Sequence, residues 1–405
     1  MCVYLQQTKL YANMKTFRFT AALLCALAVA GCDGRKNDLD LPGGQGLFSL
    51  ADVAQMLSRL PLEPEHLDEV YDAVNASSGH GYDEEYLLND LFTAPGAGVG
   101  DSGKPTRAGG YTTPLRDLFA DYLAREYGGT KAGAADVERY INALSGSDMQ
   151  IYWPYSENWD GHTFPVVTFD PGYGAESNYG YEIRLDADGA HVVDSVLVNE
   201  QLAMERPVWV INRNDDAGFT PFELFVEETK AGKDKGKEEE KTEKEYILSI
   251  ESIKMLRNYD SWFGGASEFF IKTGAVDGFK ATKDEDLKNY SPSLTDLMVV
   301  VKRSQVGRKI PFNALLLTNF TAQMEKIAFM VIEDDGGTTT SWKCSAVVKY
   351  NSKQYGFELE IPYKDKDDIV WRGQLTRNFF QEVFDKGGGT LSGRFGDVEI
   401  SFGLK

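Results

Sequence analysis

The sequence predicts an α+β protein with a helical N-terminal region, a small β-rich middle region and a C-terminal antiparallel β-sandwich. Three observations lead there. Apolar residues recur at three- and four-residue steps between 48 and 147. From Met149 onward, short runs rich in Val, Ile, Tyr, Phe and Trp are bounded by Gly, Asp, Asn and Pro. After residue 246, seven such runs follow one another with no long helix between them, a pattern that favours a sandwich. At 405 residues the chain exceeds one average domain, and 42% hydrophobic residues suffice for a core.

The first helical stretch shows Leu50, Val53, Met56, Leu57 and Leu60 on one face, and after Pro61 and Pro64 the pattern repeats with Leu67, Val70, Tyr71 and Val74. Further helices are expected over Pro114 to Tyr127 and Ala134 to Leu144, after a Gly-rich loop at 94–110. The middle region, 148–229, holds short strands, and Asp188-Gly189 between two of them signals a hairpin. Residues 230–245 are almost wholly Lys, Glu, Asp and Gly; they cannot bury apolar surface and read as a charged linker. The clearest strands of the last segment are Tyr246 to Ile253, Ser267 to Lys272, Leu297 to Val301, Ile327 to Ile332, Ala346 to Tyr350, Tyr355 to Ile361 and Val398 to Phe402.

The amino terminus carries a different message. Met14 to Thr20 is short and basic, an apolar run spans Ala21 to Ala30, and small residues precede Cys32. That is the anatomy of an export signal, and the run is too short to span a bilayer as a helix. Val29-Ala30-Gly31-Cys32 resembles the lipobox of Gram-negative bacterial lipoproteins. The resemblance implies removal of residues 1–31, lipid on the Cys32 thiol and anchorage in the cell envelope, most simply the outer membrane. Residues 32–47 then serve as a flexible tether. Met14 opens a complete signal by itself, so residues 1–13 read as an over-extended start.

The formal charge is −20, and the chain from Cys32 onward carries about −23. An acidic surface of this size repels nucleic acid and attracts divalent cations. Cys344 stands alone beyond Cys32, which argues against a disulfide and for a buried core thiol.

Few catalytic patterns are present. Gly98 to Lys104 fits the opening of a phosphate-binding loop, but Pro105 occupies the magnesium-ligand position and no strand precedes it. The four histidines, His66, His80, His162 and His191, show neither metal-ligand spacing nor a nucleophile motif. The aromatics Tyr152, Trp153, Tyr155, Trp159, Tyr173, Tyr179 and Tyr181 either fill a small sheet or stack on a sugar or peptide, with structure the favoured reading.

The sharpest signal lies in the last segment. A strand ending near Ile253 leads to Asp260, then Gly264, then Ser267-Glu268 and a second strand. Further on, Ile327 to Ile332 ends in Glu333-Asp334-Asp335, Asp367 to Gly373 reads as an acidic turn, and Phe395 to Phe402 as a closing strand. This arrangement over 246–405 resembles a C2 domain. The resemblance implies a sandwich whose loops at one end surround calcium with carboxylates, a fitting donor set for a hard cation. Carried over by position, the ligands are Asp260, Glu268, Glu333 and Asp335, with Asp367 or Asp368 as further candidates. The chain departs from the pattern at Glu268, where Asp is usual and no Pro follows, and in the residues Gly336 to Tyr363, which intrude between the acid pair and the acidic turn.

The functional expectation is a lipid-anchored, non-enzymatic binding or structural protein of the envelope. It would meet the membrane through Cys32 and a protein or glycan ligand through loop tips of the sandwich, with calcium as the candidate cofactor. The competing reading is an envelope hydrolase acting on protein or glycan, its site in the aromatic middle region.

Overall fold

A computed structural model describes residues 47–92, 111–127, 131–185, 191–214 and 245–405. The export signal, Cys32, the tether, the Gly98–Lys104 loop, the Asp188-Gly189 turn and all but Glu245 of the charged run lie outside these residues.

Helix α1 (Leu50–Ser58) begins at a capping box: the Ser49 hydroxyl accepts from the Asp52 amide at 3.2 Å, and Asp52 accepts from the Ser49 amide at 2.9 Å. Pro64 opens α2 (Pro64–Gly79), where a missing amide proton costs nothing. Strand β1 (Glu85–Leu87) and helices α3 (Leu88–Phe92), α4 (Leu115–Tyr127) and α5 (Lys131–Ser145) follow. The middle region supplies β2 (Met149–Tyr152), β3 (Val166–Phe169), β4 (Ser177–Leu185), β5 (His191–Asn199), α6 (Glu200–Glu205) and β6 (Val208–Arg213).

These two regions, separate in the sequence pattern, share one core. The order β1-β2-β6-β3-β4-β5 makes a six-stranded sheet, antiparallel except where β3 runs alongside β6. Alternation along the strands assigns Ile151, Val167, Trp209 and Ile211 to one face, where they pack against Val53, Leu57, Leu67, Val70 and Phe119 of the helices. Tyr152, Val166, Val208 and Val210 face the other way. Trp153 meets Trp209 edge-on with ring centroids 5.7 Å apart; Tyr152 and Trp153 are core, Tyr155, Trp159 and Tyr181 pack against it, and Tyr173 and Tyr179 lie exposed.

The C-terminal region forms β7 (Tyr246–Met255), β8 (Ser267–Ala275), β9 (Ser293–Val301), β10 (Ile310–Phe320), β11 (Met324–Glu333), β12 (Thr339–Tyr350), β13 (Lys353–Lys364), β14 (Asp368–Thr376), α7 (Arg377–Asp385), β15 (Gly389–Phe395) and β16 (Val398–Leu404). One sheet has the order β10-β7-β16-β15. The other is built on β9, β8, β11 and β14, with β11 flanked on both sides along most of its length. All pairings in both sheets are antiparallel. Between them lies the largest apolar cluster, including Ile250, Phe269, Phe312, Phe329, Phe380 and Phe402.

Two features depart from the sequence expectation. Asp367 to Gly373, read as a turn, is mostly strand: Ile369, Val370 and Trp371 carry the β-branched and aromatic pattern, and β14 satisfies the free edge of β11. The intruding residues Gly336 to Tyr363 are the β12–β13 hairpin. It joins β11 only near Met324 and Lys326, then doubles back over the outer face of the sheet, where Ile361, Leu359 and Trp342 cover Phe270, Met298 and Met330. Strand β8 is therefore buried on both faces along its whole length. Gly274 makes room for this layer, since a Cβ there would collide with the Leu359 side chain. Cys344 lies at the border of this layer, half-buried rather than deep in a core, and burial lifts its thiol to about 11.

The two halves meet at the β7–β8 loop. Trp262 and Phe263, both buried, insert into the second face of the middle sheet beside Tyr152, Val166 and Val208. Polar ties flank the plug. Asn212 Nδ2 donates to the carbonyls of Phe263, at 3.1 Å, and Gly264. Trp262 Nε1 donates to the Glu176 carbonyl at 3.0 Å, and the Ala266 amide donates to Asp83 Oδ2 at 2.9 Å. Arg303 Nε donates to Glu200 Oε1 at 2.6 Å.

Candidate metal centre

Three carboxylates converge at one end of the sandwich because of where their elements stop. Asp260 rides on the β7–β8 loop, which Ser267 shapes by accepting from the Tyr259 amide at 3.1 Å. Glu333 is the last residue of β11, and Asp335 follows it in the turn where Gly336 and Gly337 adopt φ of 74° and 103°. That left-handed backbone lets the chain leave β11 at once. One carboxylate oxygen from each of Asp260, Glu333 and Asp335 lies within 4.8 Å of the others.

Burial is graded across the cluster. Glu333 is 0% exposed, Asp260 half-buried and Asp335 exposed. Among the described residues neither Glu333 oxygen, nor Asp260 Oδ2, meets a backbone amide or basic donor; the two carboxyls face each other and share a proton as the only partner of these oxygens. The basic side chains nearby are engaged elsewhere: Lys364 Nζ lies 2.8 Å from Asp334, and Arg303 donates to Glu200 and to the carbonyls of Asp260 and Gly265.

Electrostatics follow from this geometry. Burial, then the facing Asp260 carboxyl, pushes Glu333 up to about 12. Burial also raises Asp260. Asp335 is raised to about 6 by burial and by the charges of Asp260, Asp368, Asp367 and Asp334. Without a counter-cation, Glu333 keeps its proton, because a buried ionised carboxylate lacking donors costs several kcal/mol. A divalent ion would supply the missing positive charge and replace the proton.

The four residues expected from sequence do not all meet. Asp260, Glu333 and Asp335 do; Glu268 does not. Glu333 stands opposite Phe269 across the β8–β11 pair, so Glu268, one step along β8, projects from the other face of the sheet beside Phe270 and Ala266. Its backbone carbonyl still accepts from the Asp334 amide at 3.0 Å. Asp368 lies opposite Glu333 on β14 and adds negative potential. Asp367 points into its own turn, accepting from the Lys364 amide at 2.7 Å and the Asp335 amide at 3.3 Å. Sequence reasoning missed Arg303 and Glu200, which pair across 103 residues of chain and brace the Asp260 loop; no local pattern signals such a contact.

Elsewhere, the histidines show no catalytic grouping among the described residues. His66 and His80 bond within their own helix ends, and His162 sits 3.2 Å from Asp160 in an exposed turn. Asp160 is held down at about 2 by the Thr163 hydroxyl and amide and the His162 amide of that same turn. No described helix is long and apolar enough to cross a membrane.

Compared with known proteins, the chain matches no family model and no curated protein.

Proposed function

We propose that this chain is a lipid-anchored envelope protein that binds rather than catalyses, and that its C-terminal body is a C2-like sandwich holding one calcium ion through Asp260, Glu333 and Asp335. One observation carries the cation: Glu333 is fully buried, and among the described residues its only side-chain partner is the facing Asp260 carboxyl, with Asp335 as a third carboxylate beside them. Chains seldom bury a carboxyl in that state without a cation or proton to neutralise it. An all-oxygen donor set favours calcium or magnesium over softer metals, and only three protein ligands leave coordination positions open. The paired antiparallel sheets with acids gathered at one end support the C2-like reading.

The hydrolase alternative finds less support. The aromatic middle is largely packed core, and its acid–histidine pair Asp160 and His162 lies in an exposed turn whose bonds it satisfies internally.

Differential scanning of the purified full chain, with and without calcium, tests the ion. An ion bound only by the folded form must raise the melting temperature. No shift at millimolar calcium, or an equal shift in an Asp260→Ala, Asp335→Ala double variant, would remove the site. For the anchor, Cys32→Ala should release the protein from membranes, and unchanged partitioning contradicts it.

A further inference from the structure

Two rows of facing residues cross the outer face of the β10-β7-β16-β15 sheet. Ser252, Ser401 and Ser392 stand opposite one another on β7, β16 and β15; two residues along, Lys254, Glu399 and Arg394 do the same. Alternation puts these side chains toward solvent, since Ile253, Met255, Val398 and Ile400 face the core. Ser252 joins its row through a bulge: Glu251 and Ser252 both lie between core positions Ile250 and Ile253, where the β7–β16 register shifts. A row of short side chains beside a row of long ones leaves a hollow of about 390 Å³, with Lys309, just before β10, also lining it.

We infer that this hollow binds a phosphate monoester, whose terminal oxygens accept from the serine floor and the cationic rim together. The inference is independent of the cation reading given above. Two observations carry it. The first is charge. In a chain of formal charge −20, the lining holds three cations, Lys254, Lys309 and Arg394, against the single acid Glu399. Glu399 occupies only part of one of them, with Lys254 Nζ 3.3 Å away. Arg394 Nε donates to the Gly396 carbonyl at 3.0 Å and Nη2 lies 3.8 Å from Asp397, which fixes the guanidinium and leaves N–H groups to spare. Lys309 is exposed and has no ion pair among the described residues. A phosphate monoester carries about −1.5 to −2 charges near neutral pH, which suits this excess; a carboxylate brings less charge and fewer oxygens. A long polyanion such as nucleic acid would meet the acidic remainder of the surface.

The second observation is Ser252 itself. It is 3% exposed and lines the hollow, yet its hydroxyl has no hydrogen-bond partner among the described residues, whereas the Ser392 and Ser401 hydroxyls lie 2.8 Å apart and bond each other. A buried hydroxyl without a partner costs stability. A bulge that turns such a group into a basic hollow provides a donor for whatever enters it, and a phosphoryl oxygen is the acceptor that the rim also attracts.

Calorimetry on the full chain in detergent tests this with three probes: glucose 6-phosphate, glucose, and the short-chain lipid dihexanoyl-phosphatidate. The expected result is binding of at least one phosphate and none of glucose. The tighter of the two phosphates identifies the source as a soluble ester or a lipid headgroup. Ser252→Ala should weaken that binding about tenfold with the melting temperature unchanged, because the hydroxyl bonds nothing in the free protein. Lys309→Gln, at an exposed position that the fold does not depend on, should weaken it as well. No heat from either phosphate at about 10 mM overturns the inference. So does glucose binding as well as its phosphate, or native affinity in both variants, which would mark diffuse attraction to surface lysines.

Discussion

Glu333 and Phe269 face each other directly across β11 and β8, which sends the neighbouring Glu268 to the opposite side of the sheet. One residue of register thus separates a buried acid aimed at Asp260 from a buried acid aimed into the hairpin layer. The two glutamates invite the same substitution and should answer differently.

Glu333→Gln should abolish the calcium-induced rise in melting temperature while changing the metal-free value little. The amide is isosteric with the protonated acid that burial enforces, yet it carries no charge for the ion. Glu268→Gln should keep the calcium response. Thermal scans of both variants with and without calcium check the pair; a preserved response in Glu333→Gln would contradict the assignment.

Glu84 gives the joint a pH signature. It is buried, accepts from the Ser156 hydroxyl at 2.7 Å and has Lys302 Nζ 3.9 Å away, yet burial prevails and raises it to about 8. Its unfolded value is 4.5. Between those values the folded chain holds a proton that the unfolded chain has lost. The contribution is therefore fully present below the unfolded value and is lost as pH rises through the folded one. Urea midpoints measured from about pH 5 to about pH 9 should fall more steeply for the native chain than for Glu84→Gln. Parallel curves would refute this.

The plug at the joint should be costly to cut. Phe263→Ala removes a fully buried ring from the second face of the middle sheet and should destabilise the protein by about 3–5 kcal/mol. Chemical denaturation measures this, and a loss under about 1 kcal/mol would show that the contact carries little of the stability.

A compensating pair tests the hairpin layer. Gly274→Ala should destabilise by about 1–3 kcal/mol, because the added methyl meets Leu359. Adding Leu359→Ala should cost less on the Gly274→Ala background than on the native one, an interaction that a double-mutant cycle resolves. Simple additivity would mean that the hairpin does not pack as described.

Much of the architecture was legible because it is written locally. The apolar spacing of α1, Pro64 before α2, the alternation in β7 and the continuous apolar runs of β8 and β11 announce their elements within a few residues. β10, β15 and α7 escaped notice. Their apolar positions are interleaved with Asn, Thr, Ser and Gly, and their burial depends on partners far away in the chain. At the centre, the acidic character of Glu333 and Asp335 was visible as a turn following a strand. Which face Glu268 would take was not, because parity depends on the β8–β11 register rather than on either strand alone. The sharing of one core by helices and middle sheet was equally hidden, since periodicity reveals that a face is apolar but not what it packs against.

The aromatic pair in the β7–β8 loop bears on how this architecture can be divided. A gene that borrowed residues 245–405 alone would lay Trp262 and Phe263 bare to water and strip Asn212 and Asp83 from the loop backbone they grip. The transplanted piece would be sticky, and its Asp260 loop would lose half its scaffolding. Recombination and protein engineering should therefore find that the seam visible in the sequence is a poor place to cut.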